Sequence, residues 1–345
     1  MNSPLRQYVS KICYEGVFDR KTIDQQFRNL IVTKAKHSNF LYITWPDTFE
    51  YYVDPKLHYY LERAIPNLPV EAIPYYFSFY EKGIISLNDN WSLYSWCSWL
   101  SSQVKISSLK HKSLVVVHFD DYSDYNAPFL YEKNCKTYNI LNGAEFSLRP
   151  RCVFNAITSG AVSPGGAYVP FLYYAQNIFK HIIVIHIVPE HQRTPLQLSQ
   201  LTVSATDQSF LDKKIKQLTI QKHPLTLFRK GTTLDGLLEF KTSKIGDLGM
   251  IQSYLNEDFI TFLDIDLCYF SNRYTLDSDW SSYKQNHDPS WPSIQMEINR
   301  CCLLLQQHIP LKKINNISMS TSPGYYPSEY WSDTLCLLKD HFKIS

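Results

Sequence analysis

The sequence predicts an α/β fold, with helices covering both faces of a mainly parallel sheet in three α/β/α layers. Two observations carry this. Short apolar runs of strand length recur along the chain, and segments with apolar residues at three- and four-residue spacing lie between them. The run Leu114-Val-Val-Val-His-Phe119 is rich in β-branched residues and does not alternate, as expected for a strand covered on both sides.

In chain order, strands are expected at Phe40–Trp45, Gly83–Leu87, Leu114–Phe119, His181–Val188, Phe259–Ile265 and Ile317–Thr321. Helices are expected at Asp54–Ala64, Ser92–Val104, Gln295–His308 and Ser328–Phe342. Loops are expected at Ser159–Gly166, which reads S-G-A-V-S-P-G-G, and at the polar stretch Leu276–Pro292. The segment Leu196–Gly249 has a mixed pattern that assigns no single element. The 345 residues fit one large α/β domain, with residues 1–80 set apart as a candidate N-terminal elaboration.

Composition narrows the function classes. Hydrophobic residues make up 44% and charged residues 19%, enough for a large core and against wholesale disorder. The net charge of +2 is spread without basic blocks, so nucleic acid is not the expected partner. No run of about 18 apolar residues and no signal-type leader is present, so no membrane partner is expected. The eight cysteines form no C-x-x-C pair, which fits reduced thiols in a cytoplasmic protein. No G-x-S-x-G elbow, glycine-rich phosphate loop or H-E-x-x-H helix occurs.

In a parallel sheet, ligands bind beyond the carboxyl ends of the strands. Two predicted strand ends carry paired aspartates. Asp264 and Asp266 are two apart and share one face of an extended chain. Asp120 and Asp124 are four apart across a strand-to-loop turn. Four carboxylates in one cleft repel unless cations neutralise them, and hard divalent ions with oxygen ligands do so. The same aspartates also serve as ordinary caps and turn residues in many proteins. If repulsion dominates, replacing Asp264 by Asn relieves it and stabilises the metal-free chain. If Asp264 is a cap, the same change is destabilising.

At these residues the sequence resembles the arginase (ureohydrolase) superfamily. The family string Asp-Ala-His-Thr-Asp-x-Asn-x-Pro is matched in register by Asp120-Asp-Tyr-Ser-Asp-Tyr-Asn-Ala-Pro128, and Asp-x-Asp by Asp264-Ile-Asp266. The earlier Asp-His-Ser-Leu is echoed by Asn90-Trp-Ser-Leu93. Leu263-Asp-Ile-Asp-Leu-Cys-Tyr-Phe-Ser271 and Ser322-Pro-Gly-Tyr-Tyr-Pro327 are similar to a branch that includes peptide arginases. The four motifs span about Ile84 to Pro327.

The resemblance implies an arginase-like fold and one or two Mn²⁺ ions held by Asp120, Asp124, Asp264 and Asp266. It also implies catalytic work at Asp120 and Asp264, hydrolysing arginine in a peptide, or a small guanidino substrate, to ornithine and urea. Three positions depart from the family. Trp91 and Tyr122 stand where the two histidine ligands belong, and Cys268 replaces a further Asp of the peptide-arginase branch. Neither indole nor neutral phenol is a good Mn²⁺ ligand. By this alignment the Trp91 indole is expected in the space of the first metal, so that Trp91→His restores a nitrogen donor. Asp89 is a substitute oxygen ligand. His118 is expected to support the site from a layer below, and His191 is a candidate proton carrier near neutral pH. Two readings remain open: a metal-dependent guanidino hydrolase with an altered site, and a degenerate arginase-fold protein that binds a peptide or partner.

Overall fold

The computed structural model describes residues 54–192, 196–210, 213–225, 237–242, 245–251, 259–274 and 287–344, together with three short strands nearer the N-terminus. Those strands are β1 (Ser10–Cys13), β2 (Ile31–Lys34) and β3 (Phe40–Thr44). They pair antiparallel in the order β1-β3-β2, so the run at Phe40 belongs to a small separate sheet rather than to the parallel one. Its apolar content alone could not distinguish the two settings.

The remaining elements follow in chain order. They are α1 (Leu57–Ala64), β4 (Phe77–Tyr80), β5 (Gly83–Ser86), α2 (Trp91–Ser102), β6 (Ser113–Phe119), β7 (Leu130–Lys133), β8 (Lys136–Asn139) and β9 (Glu145–Phe146). Next come α3 (Pro150–Thr158), α4 (Tyr168–Ala175), β10 (His181–Ile187), β11 (Gln197–Phe210), β12 (Lys213–Pro224) and β13 (Leu237–Thr242). The last are α5 (Leu248–Ile251), β14 (Phe259–Asp266), α6 (Trp291–His308), β15 (Ile314–Ser320) and α7 (Trp331–Phe342). Strands β4 to β15 form one sheet in the order β4-β5-β15-β14-β6-β10-β13-β11-β12-β7-β8-β9. Its six strands β5, β15, β14, β6, β10 and β13 run parallel, and antiparallel pairs extend it at both ends. The fold is therefore mixed α/β, with seven α-helices among the described residues.

Side-chain alternation along the central strands explains how the sheet is covered. Ile84, Val116, Val184 and Phe262 point into one apolar cluster with Trp96 of α2, Val153 of α3 and Phe171 of α4. Their neighbours Ile85, Val117, Ile185 and Leu263 point into a second cluster with Leu57 of α1, Ile298 of α6 and Leu338 of α7. Every residue of β6 is buried, as its unbroken apolar run requires. Gly83 permits the close approach of β5 to β15, because a Cβ there would lie 1.8 Å from the Ile317 carbonyl oxygen.

Sequence periodicity missed several elements. The mixed segment Leu196–Gly249 contains the β11–β12 hairpin, whose half-buried strands alternate too irregularly to read. Helices α3 and α4 flank the expected loop at Ser159–Gly166, where Gly160 and Gly165 adopt φ of 81° and 71°. The expected helix at Ser328 opens with one 3-10 turn before α7. Most of the loop expected at Leu276–Pro292 lies outside the described residues, and its last two residues begin α6. Among the described residues, no helix is long and apolar enough to cross a membrane, and seven cysteines are free.

Candidate metal centre

Strand register builds the site as two polar rows. On the lower row, Ser318 of β15, Asp264 of β14, His118 of β6 and His186 of β10 are direct neighbours across four parallel strands. On the upper row, Ser320 of β15 pairs with Asp266 of β14, and Asp120 follows β6 at the same level. Asp264 thus lies level with His118, two residues below the strand end, and Asp266 is the aspartate level with Asp120.

The lower row is closed by hydrogen bonds. Asp264 Oδ1 accepts from Ser92 Oγ at 2.6 Å and from Ser318 Oγ at 2.8 Å. Its Oδ2 accepts from Tyr168 OH at 2.9 Å and from His118 Nδ1 at 3.1 Å. Four donors therefore hold a carboxylate that the sequence assigned to metal binding. They arrive from α2, β15, α4 and β6, so Asp264 also ties two helices to the sheet.

The upper row is less complete. His118 is only 1% exposed, and its Nε2 has no hydrogen-bond partner. Asp120 Oδ2 and Asp124 Oδ2 lie 3.4 and 3.5 Å from that nitrogen. Asp120 Oδ1 accepts from Tyr122 N at 2.9 Å and from Cys268 Sγ at 2.7 Å. Asp266 Oδ1 accepts from Cys268 N at 2.7 Å, and its Oδ2 accepts from Ser320 Oγ at 2.8 Å and from Ser322 Oγ. Two sets of donor atoms lie close enough to share a metal ion: His118, Asp120 and Asp124, and separately Asp120, Asp266 and Cys268. Asp120 is common to both.

Electrostatics match this crowding. Burial raises Asp266 to about 8, and Asp120 and Asp89 add to the effect. Asp89 is pushed up to about 7 by burial, against the pull of the Gly165 N–H that donates to its Oδ2 at 2.6 Å. Burial also pushes Asp124 well above the carboxylate range, helped by Asp120 and Asp89. Asp120 goes the other way: burial would raise it, but His118 beside it outweighs that and holds it well below the usual range. Burial would lower His118, yet Asp120 and Asp264 on either side push it up to about 10. The metal-free cluster thus stores protons on several carboxyls and on one imidazole, which is how buried like charges avoid full ionisation.

The backbone supports the arrangement. Asp124 adopts φ of 50° and Ser322 φ of 48°, left-handed conformations uncommon for these residue types, and both sit at the cluster. Gly165 has a positive φ, and a Cβ there would lie 2.4 Å from Asn126 Nδ2. Glycine is therefore needed at the position whose N–H holds Asp89.

The substituted positions behave differently from the alignment. The Trp91 indole is turned away from the carboxylates: its Nε1 donates to the Pro74 carbonyl at 2.9 Å, and its ring lies 4.3 Å from Phe77 and 5.7 Å from Phe154. The next residue on α2, Ser92, is the one that reaches Asp264. Trp91 therefore does not fill a metal position, because one step along a helix turns the side chain to another face. Trp91→His is expected to give no gain in Mn²⁺ binding. It is expected to lower stability by about 2 kcal/mol through lost packing of a fully buried ring, measured by urea unfolding.

Tyr122 contributes its backbone N–H to Asp120 while its side chain, 45% exposed, accepts from Asn272 Nδ2 and meets the Tyr325 ring edge-on. Burial pushes its phenol up to about 12, so it stays protonated at neutral pH. Cys268 does point into the cluster. His191 Nε2 lies 3.4 Å from Asp121 Oδ1, and its ring stacks on His287 at 4.1 Å, so its contacts run beside the cluster rather than within it.

Sequence reading missed Tyr168, Ser318, Ser320 and Gly165. Ser318 and Ser320 had a signal: hydroxyls two apart on a buried strand, the same period that singled out Asp264 and Asp266. Tyr168 had none, since an aromatic at the start of an apolar helix reads as core. No protein-family model matches the chain, and no curated protein matches it in sequence.

Proposed function

We propose that this chain is a metal-dependent hydrolase of the arginase type, with helices layered on both faces of its sheet and a guanidino group as the target. The observation that carries the reading is the His118 Nε2 atom, buried without a hydrogen-bond partner and 3.4 and 3.5 Å from oxygens of Asp120 and Asp124. A buried imidazole nitrogen beside two carboxylates is a donor set for a divalent ion, and the residues present fit one. His118, Asp120 and Asp124 would hold one ion, and Asp120, Asp266 and Cys268 a second. A divalent ion there supplies Lewis-acid polarisation and a water that ionises near neutral pH.

The chain's own groups have matching tasks. Asp264 orients His118 through Nδ1, which leaves Nε2 free for a ligand. Asp89 lies buried beside the cluster with Oδ2 fixed by Gly165 N, which leaves Oδ1 as the oxygen to carry a proton. The carboxylates attract a guanidinium by charge, and the Tyr122 and Tyr325 rings offer faces on which that planar cation stacks.

One observation favours a second reading, a degenerate arginase-fold protein that binds a peptide or partner. Asp264 has both oxygens taken by internal donors, so the arginase ligand set is short by one carboxylate as well as by two histidines. Metal analysis with thermal melts separates the readings. The hydrolase is expected to retain or take up divalent ions, to melt several degrees higher with saturating Mn²⁺ or Zn²⁺, and to release urea from an arginine-containing peptide. Absence of any ion-dependent shift would reject the hydrolase reading.

A further inference from the structure

Cys268 sits one residue beyond the 3-10 turn residue that follows Asp266, and it is 3% exposed. Its Sγ donates to Asp120 Oδ1 at 2.7 Å, and its backbone N–H donates to Asp266 Oδ1 at 2.7 Å. The thiol and one oxygen from each of these carboxylates lie within 4.8 Å of one another. The other carboxylate oxygen of Asp120 lies 3.4 Å from His118 Nε2, a buried nitrogen with no hydrogen-bond partner. The thiol is therefore part of the same donor cluster and not an isolated buried cysteine.

We propose that Cys268 is a thiolate ligand in this cluster, and that it makes the centre one for a borderline-soft ion of the zinc class rather than for manganese. The inference rests on the reading that the cluster holds a divalent ion. Thiolate favours Zn²⁺ and Co²⁺, whereas carboxylate and water suit Mn²⁺ and Mg²⁺. On binding, the Cys268 S–H bond breaks and a sulfur–metal bond forms. One proton passes to solvent, and no oxidant or reductant is involved. The thiol's hydrogen bond to Asp120 Oδ1 is lost with that proton, and that oxygen, still held by Tyr122 N, can turn a lone pair to the same ion.

The test uses the full chain, stripped with a chelator and titrated with Co²⁺, Zn²⁺ and Mn²⁺. The parent is expected to develop a near-ultraviolet thiolate-to-cobalt charge-transfer band, and X-ray absorption of the Zn²⁺-loaded protein is expected to count one sulfur ligand. Cys268→Ser should lose the band and bind Zn²⁺ at least about tenfold more weakly, since loss of even an outer partner has that effect. Zinc outranks manganese at most sites, so the ratio of the two affinities matters more than their order. Cys268→Asp, which keeps a donor of similar reach, should narrow that ratio. Co²⁺ binding with no charge-transfer band and no sulfur ligand would overturn the inference while leaving a divalent-ion site intact. No binding of any of the three ions would overturn both. The sulfur count on the parent decides the matter even if both variants fail to fold.

Discussion

Asp264→Ala is expected to lower the stability of the metal-free protein by roughly 3–5 kcal/mol, the range for breaking a buried charged pair. The carboxylate accepts from Ser92, Ser318, Tyr168 and His118, and it is the partner that faces the His118 Nδ1 side of a strongly basic imidazole. Alanine leaves a buried phenol and a buried imidazolium without their acceptor, and each costs its own desolvation. The two serine hydroxyls can rotate to other partners and contribute less. Asp264→Asn is expected to fall between parent and alanine, because one amide oxygen survives while the charge opposite His118 is lost. Urea unfolding of the three proteins in chelator checks this. Stabilisation by either change would mean that carboxylate repulsion, and not the four-donor cradle, governs the residue. The sequence alone left both outcomes open, relief of repulsion and loss of a cap. The sign is set by the strand register, which places Asp264 beside His118 and Ser318 rather than level with Asp120.

That dependence on register shows what the sequence carried. The central strands were legible because a strand buried on both faces leaves an unbroken apolar run, as at Leu114–Val117. The acidic residues at the ends of β6 and β14 were legible for the same reason, as charges that interrupt such runs. Register was not legible. Nothing local says whether Asp264 pairs with His118 or with Asp120, since both depend on how two strands 146 residues apart slide against each other. Helix phase was equally hidden. An alignment placed Trp91 where a ligand belongs, but the pitch of α2 turns the indole toward Phe77 and brings Ser92 to the carboxylate. The β11–β12 hairpin escaped because its strands are half exposed and carry polar residues on both faces. Cys268 was legible only as a departure, and its contact with Asp120 gives the departure a chemistry.

His118 links the two polar rows. It brings a buried nitrogen up from the strand, from the row below Asp120. Its Nδ1 is fixed by Asp264 and its Nε2 faces Asp120 and Asp124. Under the proposed function, ligand chemistry at Nε2 would depend on Asp264, the relation by which outer carboxylates orient ligating histidines.

Between about pH 6 and about pH 9 the metal-free protein is expected to lose stability on the order of 5 kcal/mol, at about 1.4 kcal/mol per proton per pH unit. The sign follows from which state binds more protons. His118 is raised from 6.5 to about 10 by Asp120 and Asp264 against the effect of burial, so its contribution is complete below 6.5 and is lost as pH rises through 10. Burial raises Asp89 from 3.8 to about 7 and Asp266 from 3.8 to about 8. These carboxyls keep protons in the folded state that the unfolded chain has released, so they too destabilise the fold as pH climbs from about 4 through 7 and 8. Asp120, held low by His118 despite its burial, works oppositely. Its contribution is present above 3.8 and disappears only in stronger acid, outside this window. The cluster's terms that change between pH 6 and 9 therefore have one sign, and His287, lowered by burial and by His191, opposes them only near the acid end. A bound divalent ion removes the cause, because it takes the place of the stored protons and neutralises the same carboxylates. With saturating Zn²⁺ or Mn²⁺ the decline should flatten, and the stabilisation by the ion should grow with pH. Thermal melts at four pH values, with chelator and with each ion, read both effects. A metal-free stability that rises from pH 6 to pH 9 would mean that the cluster holds no excess protons, and that its carboxylates are paired by something other than His118 and each other.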